Sequence, residues 1–314
     1  ENILNETGIC ETFFDVFAGT GTITKTAFNF YKKIIINDIM YSNYVIYKAF
    51  FEKTDWNKIK IENLLNYYNE INPQVLEDNY FSENFGNKFF DYQNSKLIGF
   101  IREDIEKQKN DLNEKEYYVL LATLIYNIDK IANTVGHFDS YIKKMTTNKP
   151  LELKMIETSE FENIEIYRED ANSLVRKVLA DIAYIDPPYN SRQYNRFYHI
   201  YENLVEWRKP TLFGVALKPK PENNSLYCTV KAKDAFKDLI ENLNVKYLAV
   251  SYNNTYNSKS HSSENKIKLD EIEGILKQKG ETKVFENSYK FFNAGKTKFD
   301  NHKEFLFITK IKGQ

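Results

Sequence analysis

Residues 180–194 read ADIAYIDPPYNSRQY. A carboxylate, Asp186, follows directly on the apolar run Ile182-Ala183-Tyr184-Ile185, and behind it stand Pro187, Pro188 and Tyr189. A plain Asp-Pro turn would need only that proline disfavours helix in the residue before it; it would not require the aromatic. The group as a whole fits a narrower chemistry. Asp186 falls at the carboxyl end of a buried strand, which is where open α/β sheets place ligands. Two prolines stiffen the backbone, so the Pro187 carbonyl points in a fixed direction, and Tyr189 supplies a flat π face. Two acceptors beside an aromatic suit the exocyclic NH2 of a planar base stacked on that ring.

Three further acids or glycines sit where a second ligand would lie. Asp15-Val16-Phe17-Ala18-Gly19-Thr20-Gly21 follows a short apolar run, and its paired glycines let the backbone approach a ligand and turn sharply into a helix. A glycine turn with no ligand reads the same way, and Thr22-Ile23-Thr24 puts no third glycine where a dinucleotide fingerprint needs one. Asp38 closes the next β-branched run, roughly 20 residues on, where an acid can accept hydrogen bonds from ribose hydroxyls. Its plain reading is a strand-end turn residue. Asp170, in REDANSL, ends another strand; it reads first as a helix N-cap and second as a residue facing a bound adenine.

The elements that must carry these residues are strands alternating with helices. Residues 12–17, 33–38, 162–168, 182–185 and 245–251 read as strands, and 282–285 with 304–310 as a closing pair. That pattern predicts an α/β sheet with helices on both faces. Residues 41–161 are too long for a simple crossover and mostly helical in pattern, with 115–133 the clearest helix. The expected organisation is therefore a sheet domain of 1–40 and 162–314 with a helical inserted subdomain, 41–161. Residues 208–233, with Pro210, Pro219 and Pro221 among lysines, read as an extended surface loop. The turn NTVGHFDSY in the insert reads as a helix end capped at Gly136.

Composition narrows the class. The chain has 314 residues, net charge -1 and two cysteines, Cys10 and Cys228, with no disulfide framework. A reducing, cytoplasmic setting is expected, and no apolar run approaches the ~18 residues of a membrane span. No His/Cys/Asp cluster has metal spacing, so no metal is expected. Tyrosine and phenylalanine, 23 of each, are abundant alongside Asn, Lys and Ile, as A/T-rich codon usage would produce, so a tyrosine outside a motif carries little weight. Net charge gives no hint of a polyanionic partner, which leaves local patches. Arg192, Arg196, Lys218, Lys220, Lys231 and Lys233 follow DPPY closely; they are either a solvated charged face or contacts to the phosphates of an opened duplex.

DPPY after an apolar strand, with FAGTG near the start, resembles the S-adenosylmethionine-dependent adenine-N6 DNA methyltransferases, and the order of glycine motif, helical insert and DPPY is similar to their alpha, Dam-type subgroup. The likeness extends through residues 198–203 and VSYNN at 251–254. It implies a Rossmann-like methyltransferase fold with Asp15, Phe17, Gly19, Gly21, Asp38 and Asp170 around S-adenosylmethionine. Asp186, Pro187, Pro188 and Tyr189 would hold a flipped adenine. Double-stranded DNA is the implied substrate, with the insert as target-recognition subdomain and a cognate restriction endonuclease as a partner in a restriction–modification or epigenetic system. Family members usually carry, ahead of the glycine motif, a glycine-containing turn for the methionine part of the cofactor; fourteen residues precede Asp15. The same acceptor geometry also serves RNA adenine or cytosine N4, and a catalytically silent DNA-binding subunit is the alternative from another class.

Overall fold

Residues 1–146, 148–255, 264–288 and 303–313 are described by a computed structural model. In it the apolar runs form a seven-stranded sheet: β1 Thr12–Asp15, β2 Lys33–Asn37, β3 Ile164–Tyr167, β4 Ile182–Ile185, β5 Tyr247–Asn253, β6 Gly280–Ser288 and β7 Lys303–Ile311, in the order β3-β2-β1-β4-β5-β7-β6. The first five are parallel and β7 runs antiparallel between β5 and β6. Such strands are buried on both faces, so they read as unbroken runs rather than alternating ones: β4 is buried at every position and β2 at all but its first.

The helices are α1 Asn2–Thr7, α2 Thr22–Ala27, α3 Tyr41–Phe50, α4 Lys58–Glu70, α5 Tyr80–Phe85, α6 Tyr92–Lys107, α7 Glu114–Asp129, α8 Ala171–Leu174, α9 Tyr194–Phe197, α10 His199–Glu206, α11 Ala232–Asn242 and α12 Leu269–Lys279. The chain divides into two compact units. One comprises Glu1–Ile39, Asn163–Gln193 and Asn223–Gln314; the other comprises Met40–Glu162 and Tyr194–Glu222. The first holds the sheet, and its core joins Phe14, Ile35, Ala183 and Val250 to Phe236, Leu239 and Leu276 from α11 and α12.

The second unit is helical. α7 begins at a capping box, Asn113 with Glu116, and is buried nearly all round, as befits the central helix of a bundle. It ends at Asp129 with Lys130 in the right-handed region, so Gly136 (φ +96°) lies well beyond it and does not cap it. Tyr194–Glu222 belongs to this unit and not to the sheet domain expected from sequence. The reason is packing and polar pairing. Ile200, Leu204 and Val205 of α10 enter the helical core. Glu202 accepts hydrogen bonds from the Tyr41 and Ser42 amides, 3.1 and 2.7 Å, at the open start of α3. Arg102, wholly buried, donates to the Leu204 and Val205 carbonyls at the end of α10 and pairs with Glu106 at 2.8 Å. Residues 208–222 form a largely exposed surface loop, as expected, that is pinned to the helical unit: Phe213 and Lys218 exchange backbone hydrogen bonds, and Tyr80 donates to the Pro210 carbonyl at 2.9 Å.

Candidate active site

Chain order singles out where a ligand would sit. From β1 the chain moves outward through β2 to β3, then returns to β4 on the other side of β1. The strand ends on either side of that reversal form the crevice in which open sheets hold ligands. Asp15 and Asp186 stand at the ends of the neighbouring strands β1 and β4, and Asp38 just past the end of β2.

On the β1 side, the turn after Asp15 is drawn back onto β2. The Ala18 amide donates to the Asn37 carbonyl and the Gly19 amide to Asp38 Oδ2, each at 3.0 Å. Gly19 and Gly21 have φ of +54° and +74°, which side-chain-bearing residues rarely adopt; a Cβ on Gly19 would meet nothing within 4 Å, so the turn is open on that side. Asp15 is buried, accepts the Thr24 hydroxyl at 2.7 Å on Oδ2, and leaves Oδ1 buried with no hydrogen-bond partner among the described residues. Burial pushes its carboxyl up to about 7, the Thr24 bond opposing and the charges of Asp186 and Asp38 adding. Phe17 is half-buried and meets Tyr227 edge-on, with centroids 5.0 Å apart.

On the β4 side, Asp186 is half-buried and its Oδ1 accepts the hydroxyl of Tyr189. Burial raises its carboxyl to about 7; the Tyr189 hydrogen bond opposes the rise and the charge of Glu304 adds to it. Pro187 is buried, and with Pro188 it fixes two successive φ angles between acid and ring. Ser251, on β5, donates to Glu304 at 3.1 Å.

The remaining expected site residues divide differently. Asp170 is exposed and caps α8, accepting the Ser173 amide at 3.0 Å. Arg192, Lys231 and Lys233 belong to the sheet unit, and Arg196, Lys218 and Lys220 to the helical unit. Lys218 is paired with Asp139, Lys233 with Glu271 at 3.0 Å, and Arg196 donates to the Pro219 carbonyl. Lys220, Lys231 and Arg192 are exposed. Among the described residues no group of three or more His, Cys, Asp or Glu is placed to hold a metal ion, and no helix is long and apolar enough to cross a membrane.

Two residues escaped the sequence reading. Buried Asn37 donates to the carbonyls of Val16 (3.2 Å) and Glu169 (3.1 Å) and accepts the Glu169 amide (3.0 Å), stitching the ends of β1, β2 and β3 together. Its signal was an amide closing an otherwise apolar run, KIIIN. Tyr252 is fully buried against Tyr189; only its place in VSYNN hinted at it.

A mixed seven-stranded sheet of this order, with Asp15 and Asp186 at the ends of the neighbouring strands β1 and β4, is a Rossmann-like methyltransferase fold. The chain belongs to the D12 class N6 adenine-specific DNA methyltransferase family, whose model matches residues 1–256. Among its relatives, the type II methyltransferase M.FokI of Planomicrobium okeanokoites is 34% identical over 302 residues, covering 89% of this chain and 44% of that protein. Modification methylase StsI of Streptococcus sanguinis is 33% identical, covering 92% of this chain and 46% of that protein. The type II methyltransferase M.NlaIII of Neisseria lactamica is 30% identical, with coverage of 93% and 87%. The chain thus spans about half the length of the first two and most of the third. The family read from DPPY and FAGTG is the family found.

Proposed function

We propose that this chain methylates the N6 amine of an adenine extruded from double-stranded DNA at specific sites, using S-adenosylmethionine. The observation that carries the reading is the pairing, across the β1/β4 crevice, of an open glycine turn with an acid linked to a tyrosine by two prolines. The β1 side suits the cofactor: the buried, unpartnered Asp15 Oδ1 awaits a donor, Gly19 leaves room for close approach, and Asp38 offers a carboxylate to ribose hydroxyls. Phe17, Gly21 and Asp170 complete the set proposed to border it. When bound, S-adenosylmethionine supplies an electrophilic methyl group.

The protein's part in the reaction is to position and polarise. The adenine amine is a weak nucleophile because its lone pair is delocalised into the ring. Asp186 and the Pro187 carbonyl accept hydrogen bonds from it, raising electron density on nitrogen and stabilising the positive charge that develops there. Tyr189 stacks on the base, and Pro188 keeps ring and acid in fixed relation. Asp186, its proton affinity already lifted, takes the proton the alkylated amine sheds. The helical unit reads the flanking sequence, because one extruded base carries no information about its neighbours. A cytoplasmic restriction–modification system with a cognate endonuclease is the setting this reading implies.

The test is to incubate the chain with methyl-labelled S-adenosylmethionine and duplex DNA, then identify the labelled nucleoside by mass spectrometry. N6-methyladenine is expected, with Asp186→Ala abolishing it while cofactor affinity by calorimetry is unchanged. Label on cytosine, or full turnover by the variant, would overturn the assignment.

A further inference from the structure

We propose that Tyr252, at the end of β5, is a positioning residue for the target-base site, holding the Tyr189 ring so that its hydroxyl engages one oxygen of Asp186 and leaves the other for the incoming amine. The inference rests on the reading of Asp186 and Tyr189 as the amine site. Four contacts support it. The rings of Tyr189 and Tyr252 stand 5.0 Å apart at 84°, an edge-to-face arrangement that ring quadrupoles favour. The Tyr189 carbonyl accepts the Lys266 amide at 2.7 Å and the Tyr252 hydroxyl at 3.5 Å. The Tyr252 hydroxyl itself accepts the Ile267 amide at 3.3 Å. Tyr189 is therefore fixed through backbone and ring together, by the end of β5 and the stretch leading into α12.

The consequence falls on the acid. A carboxylate on a rotating bond presents its oxygens in many directions, and a hydroxyl seated on one of them stops the rotation. Oδ1 of Asp186 receives Tyr189, and among the described residues no donor reaches Oδ2. The phenol thus has a task separate from stacking, which a phenylalanine could do as well. Swinging the Tyr189 side chain about its Cα–Cβ bond carries the hydroxyl away from Asp186, so whatever fixes the ring's place fixes the acid. Tyr252, 0% exposed, touches no reacting atom and acts through its neighbour.

The experiment is a double-mutant cycle in single-turnover methylation of a duplex, with Tyr252→Met, Tyr189→Ala and the two combined. Tyr252→Met should slow methylation roughly 10- to 100-fold, the scale of a small misplacement at a reacting centre, with cofactor and duplex dissociation constants unchanged. In the Tyr189→Ala background the same substitution should add no further loss. An equal loss in both backgrounds, or none in either, overturns the proposal. Wild-type rates for Tyr189→Ala would instead overturn the amine-site reading itself, and this proposal with it. Should Tyr252→Met not fold, Tyr252→Phe is carried through the same cycle, with a smaller but equally non-additive loss expected. Tyr189→Phe isolates the hydroxyl: the rate should fall while 2-aminopurine at the target position still reports base extrusion, and an unchanged rate would refute the hydroxyl's role.

Discussion

Replacing Asp186 with asparagine should stabilise the ligand-free protein above neutral pH, although it removes the group proposed to hold the target amine. The carboxyl's proton affinity rises from 3.8 to about 7 in the folded state. A carboxyl so raised favours folding relative to its ionised form only while it keeps its proton. That contribution is complete below about pH 4 and is lost as pH climbs through about 7, because the unfolded chain ionises first. The rise from 3.8 to about 7 sets a ceiling of about 4 kcal/mol. Asp186 is half-buried, not sealed, so screening brings the expected effect to about 1–2 kcal/mol. Asparagine keeps an acceptor for the Tyr189 hydroxyl and carries no charge. Urea unfolding followed by circular dichroism, for wild type and Asp186→Asn between pH 4 and 8, measures the difference. It should grow from near zero at pH 4 and level off above pH 7. His199, which burial in an aromatic pocket pushes down to about 4, adds an opposite slope between about pH 4 and 6.5, and it cancels in the comparison. A difference that does not vary with pH, or a variant less stable at pH 8, would show that Asp186 is a solvated or well-paired anion and that its environment does not press it toward the neutral form.

Asp38→Ala should weaken S-adenosylmethionine binding by about 1–3 kcal/mol, as expected when polar partners lose a carboxylate; calorimetry on the folded variant decides it. Lys220→Gln with Lys231→Gln should weaken binding to all duplexes alike and flatten the dependence of log K on log salt by roughly 0.9 for each phosphate no longer neutralised. Lys218→Gln should flatten it less, since its ammonium already lies against Asp139; equal slopes for the three would remove any distinction between them.

The sheet was the most legible part of the molecule, for a physical reason. Parallel strands covered on both faces need apolar side chains at every position, so KIIIN and IAYI stand out from the chain without any knowledge of neighbours. The acids at their ends were legible because strand ends in such sheets face a crevice. Segment 194–222 was not, because its allegiance is decided by Arg102 and by the amides of Tyr41 and Ser42, far away in sequence. The ion pairs of the basic residues were hidden in the same way: nothing local tells that Lys218 will meet Asp139 or that Lys233 will meet Glu271. Asp170 had two readings, and the hydrogen bond to Ser173 establishes the capping one while leaving the cofactor role to experiment.

The stitching of the helical unit from two separated stretches bears on how the chain is made. A ribosome releases Met40–Glu162 well before Tyr194–Glu222, so during that interval α3 has no glutamate at its start and Arg102 no carbonyls to bind. β1 likewise waits for β4 until the whole first stretch of the helical unit has emerged. The helical unit is complete in sequence once Glu222 has emerged, and the sheet unit still needs Asn223–Gln314 after that. The same interleaving constrains exchange between relatives: a recombination that trades 40–162 alone would part Arg102 from the Leu204 and Val205 carbonyls and Glu202 from the Tyr41 and Ser42 amides, so a new helical unit must arrive as two co-inherited segments flanking DPPY.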